Sequence, residues 1–309
     1  MSALRRSLSD YLTMRRELGY KLERAGQLLS QFVDFCDQSD TEVVTVEAAM
    51  TWATLPDGCS PGWGAFRLCV VRSFARYLHA LDPRTAVPPT DLLPTNYGRA
   101  RPFLYSTDQV TGLLEAARQI PSALRAASTE AIVGLLTSTG MRIGEALSLD
   151  RSSVDLSHSR LTIQQTKFNK SREVALHPTT VDALAAYATR RDKLSPRAGE
   201  SAFFVSATGT RVLYCNFHLA FQDLVRRAGI EARSPSCRPR PHDLRHTFAV
   251  TTVTRWYREG VDVAALLPSL STYLGHVDPA ATYWYLSGSP ELLGLAAQRL
   301  EAVYEVETT

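Results

Sequence analysis

Proline is concentrated at one place in this chain, and that place limits every fold open to it. The segment 82–102, DPRTAVPPTDLLPTNYGRARP, carries Pro83, Pro88, Pro89, Pro94 and Pro102. A proline has no N–H for an interior helical turn, and its ring crowds the carbonyl four residues back. No helix runs through such a stretch. The segment is expected to be an extended linker with a domain boundary near residue 98. It divides the 309 residues into 1–98 and 99–309, each long enough to bury a core of its own.

Both parts read as helical. In the first, Leu22, Ala25, Leu29, Phe32, Val33 and Cys36 recur at three- and four-residue intervals, which draws one apolar stripe on a helix. Further helices are expected over 2–18, over 45–54 with Thr45 as N-cap, and over 61–81. Phe66, Val70, Phe74 and Tyr77 are the core candidates of the last. In the second part Ser106-Thr107-Asp108 caps a helix that runs to about Gln119, and another spans 123–138. Val154, Leu156, Leu161, Ile163, Val174 and Leu176 then fall in short interrupted stretches. They predict a small antiparallel sheet with turns near 157–159 and 168–171. Helices resume over 178–193, 214–228, 242–258, 263–274 and 291–303. The class is mainly α with one small sheet.

Several functions are disfavoured at once. No apolar run approaches the ~18–20 residues of a membrane span. The first residues, MSALRRSLSDYL, lack the apolar stretch of a secretory signal. Five scattered cysteines form no CxxC pair, so neither a disulfide framework nor a cysteine zinc site is expected. A reducing cytoplasm is the expected location. The net charge of +3 hides a gradient, with −1 over residues 1–98, +7 over 99–285 and −3 over 286–309. In the basic block Arg226, Arg227, Arg233, Arg238, Arg240 and Arg245 face only Glu231 and Asp243. Such a cluster suits a polyanion, bound through phosphate contacts and counterion release. Of the 34 basic residues 30 are arginines, whose planar fork suits phosphate, although codon bias explains the excess as a whole.

Four short segments carry chemistry: TGMRIGE at 139–145, TKFNKSREVAL at 166–176, HDLRH at 242–246 and LGHVDPAATYWY at 274–285. Each alone is weak. Together they place arginines, a lysine, histidines and a tyrosine in the basic domain. A metal-free phosphoryl transfer needs such a set. Arginine forks neutralise charge on the non-bridging oxygens, and tyrosine serves as nucleophile once its proton is taken. Lysine or histidine protonates the departing alkoxide. No carboxylate cluster suited to magnesium stands near these segments, and no GxxxxGK[ST] loop is present.

In order and spacing these motifs resemble the tyrosine recombinases, the phage-integrase family that includes XerC- and XerD-type enzymes and the integrases of mobile elements. The resemblance covers nearly the whole chain. It implies a helical, SAM-like core-binding domain over 1–98. Residues 99–309 would be a catalytic domain of the DNA breaking-rejoining type, ending in a helix over 290–304. The implied roles are Arg142 and Arg245 as phosphate clamps, with Gly140 and Glu145 supporting Arg142. Lys167 would protonate the 5′-hydroxyl leaving group, His242 would assist proton transfer, and His276 would hydrogen-bond the scissile phosphate. Tyr285, nine residues after His276, would form a 3′-phosphotyrosyl bond. Lys170 competes with Lys167, and Tyr283 with Tyr285. The lysine that opens the hairpin turn favours Lys167, and the nine-residue spacing favours Tyr285. Lys170, Arg172, Arg238 and Arg240 are then expected to contact DNA.

The implied partner is double-stranded DNA, with a homotetramer on two DNA sites and related recombinases as further partners. No cofactor, metal, ATP, membrane or small-molecule substrate is implied. The apolar stripe over 290–304 would dock into a neighbouring protomer, and Arg5, Arg6, Arg15, Arg16, Lys21 and Arg24 would give the first domain a local basic patch. Three other readings compete. HDLRH has the His spacing of an HExxH zinc hydrolase. A type IB topoisomerase uses similar chemistry, and an accessory DNA-binding protein would need no catalysis.

Overall fold

The computed structural model describes residues 2–55, 58, 60–94, 101–164, 171–195, 201–276, 282, 294 and 297. They divide into two compact units, Met1–Arg99 and Ala100–Thr309.

The first unit holds α1 (Ala3–Glu17), α2 (Glu23–Gln38), α3 (Val46–Thr54) and α4 (Pro61–Leu81). Their starts follow local chemistry. Ser2 Oγ accepts from Arg5 N at 3.2 Å and Thr45 Oγ1 from Ala48 N at 3.1 Å, while Pro61 opens α4, where a missing N–H costs nothing. The stripe on α2 packs as expected, with Leu29, Phe32, Val33 and Cys36 buried against Val71, Phe74 and Ala75 of α4. Trp52 of α3 meets Phe32 edge-on, 5.3 Å between centroids. Phe66 departs from expectation. It is 42% exposed, because at ~100° per residue it lies about 140° round the helix from Val71. It stacks on Trp63 at 5.7 Å instead. Three of the six residues of the basic patch have partners within the unit: Arg5 pairs with Asp34 and Asp37, Arg15 lies over Tyr20 and Arg24 over Trp63.

The first half of the proline segment is laid onto this unit rather than hanging free. Buried Arg72 donates from Nε to Pro88 O at 2.7 Å and from Nη2 to Pro89 O at 2.6 Å. His79 Nδ1 donates to Thr85 O at 2.7 Å, and Ala86 N to Val44 O at 2.8 Å. Helix-breaking prolines leave carbonyls without intrahelical partners, and this unit supplies donors for them.

The second unit is built around α6 (Ala123–Thr139), whose side chains are apolar or small almost all round, as a buried helix requires. On it pack α5 (Thr107–Arg118), α8 (Pro178–Leu194) and α10 (Asp243–Arg258). A capping box starts α5, Ser106 Oγ accepting from Gln109 N while Ser106 N donates to Gln109 Oε1. The sheet has the order β1 (Val154–Asp155), β2 (Arg160–Ile163), β3 (Arg172–Ala175), all antiparallel, with Leu161 opposite Val174. Leu161, Ile163 and Val174 turn one face to the core, so the sheet is half-buried. Helices α9 (Tyr214–Arg227) and α11 (Val263–Leu274) complete the unit with α7 (Ile143–Leu147), a single turn too short to show periodicity in the sequence. The expected turn at 168–171 falls mostly, and the helix over 291–303 almost wholly, outside the described residues. Among the described residues no helix is long and apolar enough to cross a membrane.

Arg72→Met is expected to lower the stability of the first unit by about 2–3 kcal/mol, since two hydrogen bonds from a buried charge are lost. Trypsin should then cut faster after Arg84. Denaturant unfolding and timed proteolysis of wild type and variant check both, and unchanged proteolysis would show that Arg72 does not hold the segment.

Candidate active site

The C-terminus of α11 organises the site. A helix end leaves its last four carbonyls without intrahelical donors, and they form the negative pole of the helix dipole. Gly275 follows α11 in the left-handed region (φ 70°) and closes a Schellman turn: His276 N donates to Ser271 O at 3.0 Å and Gly275 N to Thr272 O at 2.9 Å. The remaining carbonyls go to arginines from three other elements. Arg172 Nε, from β3, donates to Tyr273 O at 3.2 Å. Arg245 Nη2, from α10, donates to Leu274 O at 2.8 Å, and Arg142 Nη2, just before α7, to Gly275 O at 3.0 Å.

Each arginine is held at a second point. Arg245 is only 2% exposed, and its Nη1 donates to Gly140 O at 2.9 Å. Gly140 ends α6 at φ 61°, and a Cβ there would stand 2.4 Å from the Phe248 ring, so the turn needs glycine. Gly275 is equally constrained, with a Cβ 2.6 Å from the Arg172 guanidinium. Glu145 of α7 ties the other two arginines together. Its carboxylate accepts from Arg142 N and Arg142 Nη1, both at 2.9 Å, and from Arg172 Nη1 and Nη2 at 2.9 and 2.8 Å. Burial alone would push this carboxyl up. The Arg172 and Arg142 bonds outweigh it and hold the group down at about 2. Three guanidiniums against one carboxylate leave an excess of positive charge, which suits an anion. Arg142 faces solvent, with 40% of its side chain exposed.

His276 stands directly after the Schellman turn. Its Nε2 accepts from Arg245 Nη2 at 2.7 Å, and its Nδ1 lies 2.8 Å from Thr282 Oγ1. Burial, then Arg245, Arg142, Arg172 and His242, push its pKa down to about 4, so the ring is neutral at pH 7. His242 is the N-cap of α10, and its ring meets that of His246 nearly at right angles, 5.1 Å apart.

Arg142, Arg245 and His276 are thus brought together, and His242 lies among the groups that act on His276. Lys167, Lys170, Tyr283 and Tyr285 lie outside the described residues. Arg238 is exposed. Arg172 and Arg240, expected to reach DNA, have other partners: Arg172 forks onto Glu145, and Arg240 forks onto fully buried Asp243, with Nε–Oδ2 and Nη2–Oδ1 both at 3.0 Å. The sequence shows Asp243 three residues from Arg240, but gives no sign of the Glu145 partner of Arg172, 27 residues away. Thr282 carried no signal beyond its place in the motif. Among the described residues no three His, Cys, Asp or Glu side chains form a metal-binding group around HDLRH or elsewhere.

Glu145 makes stability pH-dependent with a definite sign. Its folded pKa lies below the ordinary 4.5, so its contribution is present above that value and lost as pH falls through about 2. The stability advantage of wild type over Glu145→Gln is expected to be about 3 kcal/mol near pH 6 and to shrink as the pH is lowered. Parallel denaturant titrations of the two proteins test this. A difference that stays constant with pH would show that the carboxylate charge is not what holds the arginines.

Residues 104–291 match the phage integrase family. The chain is 43% identical over 314 residues to a Sinorhizobium fredii protein named as integrase/recombinase y4rB, covering all of both. It is 32% identical over 295 residues to the tyrosine recombinase XerD of Mycobacterium tuberculosis, covering 92% of this chain and 86% of that one. Its fold is like that of the XerH site-specific recombinase bound to palindromic difH substrate in a post-cleavage complex, with a TM-score of 0.63 at 18% identity, over 89% of this chain and 78% of that one. With more than half of its length matched and relatives along nearly all of it, the chain belongs to the phage integrase family of tyrosine recombinases.

Proposed function

We propose that the chain is a site-specific DNA recombinase that cuts and rejoins strands through a 3′-phosphotyrosyl intermediate. The carrying observation is the convergence of Arg142, Arg245 and His276 on the C-terminus of α11, in a family whose nucleophile motif places Tyr285 nine residues beyond His276.

Arg142 and Arg245 clamp the scissile phosphate and neutralise the charge that grows on its non-bridging oxygens, work often done by a metal. The Tyr285 oxygen attacks phosphorus as its phenolic proton passes to a general base, a transfer that His242 assists. The bond to the 5′-oxygen breaks, and Lys167 delivers a proton to that oxygen. His242 assists proton transfer and His276 hydrogen-bonds the phosphate. The phosphotyrosyl bond conserves the energy of the broken diester, so the reverse attack by a 5′-hydroxyl religates without ATP. Arg172 and Arg240, committed to Glu145 and Asp243, fit positioning roles better than contact with DNA, whereas Arg238, which is exposed, fits backbone contact, as the motif implies for Lys170. Residues 1–98 act as the core-binding domain and 99–309 as the catalytic domain. Four subunits assemble on two duplexes, linked by the helix over 290–304. The DNA-bound XerH relative in fold supports DNA as the partner, and the cytoplasm is where the chain meets it.

The test uses a duplex selected by the wild-type chain from a random library. Tyr285→Phe should abolish the covalent protein–DNA adduct and leave DNA affinity intact, and the wild-type adduct should form with chelator and without nucleotide. An adduct that survives in the variant, or moves to Tyr283, refutes the assignment. Relaxation of plasmids lacking any target site would point to a topoisomerase.

Arg142→Lys should slow adduct formation about 10²–10³-fold with little loss of stability, because the side chain is half-exposed. Arg245→Lys should lose both rate and stability, since it leaves buried acceptors without donors. Single-turnover kinetics and thermal unfolding of both variants measure the contrast.

A further inference from the structure

Two contacts of the His276 ring together determine where its proton lies. Arginine carries donors only. The 2.7 Å contact between Arg245 Nη2 and His276 Nε2 therefore needs a lone pair on Nε2. A neutral ring has one N–H, so that hydrogen sits on Nδ1. It points at Thr282 Oγ1, 2.8 Å away, and the hydroxyl accepts it. The opposite arrangement, with Thr282 donating to Nδ1, would set an Nε2–H against the guanidinium N–H at 2.7 Å. Thr282 is only 2% exposed, so its oxygen is shielded from bulk water.

We propose that Thr282 is a positioning residue for strand cleavage: its hydroxyl accepts the Nδ1–H of His276 and holds the ring in its orientation, with Nε2 turned to Arg245, whose donor sets the tautomer. The assignment rests on the recombinase reading above, and it gives Thr282, three residues before Tyr285 in sequence, a defined task. The resting ring is an acceptor at Nε2. A phosphate seated on Arg142 and Arg245 brings negative charge beside it and raises its affinity for a proton. Facing groups on the other elements are Arg245 and His242 of the α10 end, Arg142 before α7 and Arg172 of β3, all of which oppose a charged ring until the anion arrives. A proton taken from solvent at Nε2 then makes that nitrogen a donor to a phosphate oxygen. The Nδ1–H bond to Thr282 is the same in both protonation states. The ring can thus change from acceptor to donor without turning.

The experiment uses the full chain. Imidazole ¹⁵N spectra of histidine-labelled protein, assigned by difference from His276→Gln among the seven histidines, should show a protonated Nδ1 and a bare Nε2 at pH 7. Thr282→Ser should keep this signature. Thr282→Val should keep the tautomer that Arg245 imposes but shift the Nδ1–H resonance, as its acceptor is lost, and slow adduct formation on the selected duplex by roughly ten- to a hundredfold, with DNA affinity unchanged. A protonated Nε2 in the wild type overturns the proposal, as does a wild-type rate in Thr282→Val or a failure of Thr282→Ser to retain activity. Should Thr282→Val not fold, the wild-type and Thr282→Ser spectra decide. Absence of any wild-type adduct would refute the recombinase reading, while the spectra would still judge the role of Thr282.

Discussion

The candidate site of the second unit depends on hydrogen bonds between arginine side chains and the C-terminal carbonyls of α11. A helix end collects negative partial charge and unmet acceptors, and a guanidinium offers positive charge and up to five donors. Here β3, α10 and the loop before α7 each send one arginine to the carbonyls of residues 273–275. The contact joins segments about a hundred residues or more apart in two of the three cases. It also orders the arginines before any anion arrives. Donors fixed in advance need no reorganisation when charge develops, which is where electrostatic stabilisation gains most of its strength.

Two glycines make that approach possible. At Gly140 and Gly275 the chain turns through positive φ and exposes a carbonyl to an arginine from elsewhere. A side chain at either position would strain the backbone and collide, with Phe248 at one and with Arg172 at the other. Glu145 has the complementary part. One carboxylate, held ionised by two guanidiniums, keeps Arg142 and Arg172 from repelling each other while leaving Arg142 open to solvent.

What could be read from the residues alone was local. Thr45 and Ser106 announce their helices because a cap bonds within three residues, and α4 and α11 follow from periodicity and a bounding turn. The resemblance of the motifs pointed to Arg142, Arg245 and His276 and to Glu145 beside Arg142, while Gly140, expected to support Arg142, bonds Arg245 instead. The partner of Arg172 was not legible, because sequence displays a charge and hides a distant carboxylate, Glu145 lying 27 residues away; Arg240 has its partner Asp243 only three residues on, and what stayed hidden is that this carboxylate is buried. Phe66, a core candidate with Val70 and Phe74, lies outside because the helix phase turns it away from the buried face. The proline segment was legible as non-helical, but its docking depends on Arg72, a donor from the middle of another element.

The chain's preference for arginine acquires physical content at this site, whatever set it elsewhere. Arg245 meets Gly140 O, Leu274 O and His276 Nε2 from two nitrogens of one planar group. Arg172 meets Tyr273 O from Nε and both oxygens of Glu145 from its two terminal nitrogens. An ammonium concentrates its donors at one point and cannot span acceptors that diverge in this way. It can, however, release a proton near neutral pH when its surroundings shift it, which a guanidinium above pKa ~12 does not do. Positions that must hold several acceptors in fixed directions therefore require arginine, and a position that must give up a proton requires something else. In the proposed mechanism the scarce lysine at 167, in a chain with only four, is the group that gives the leaving oxygen its proton.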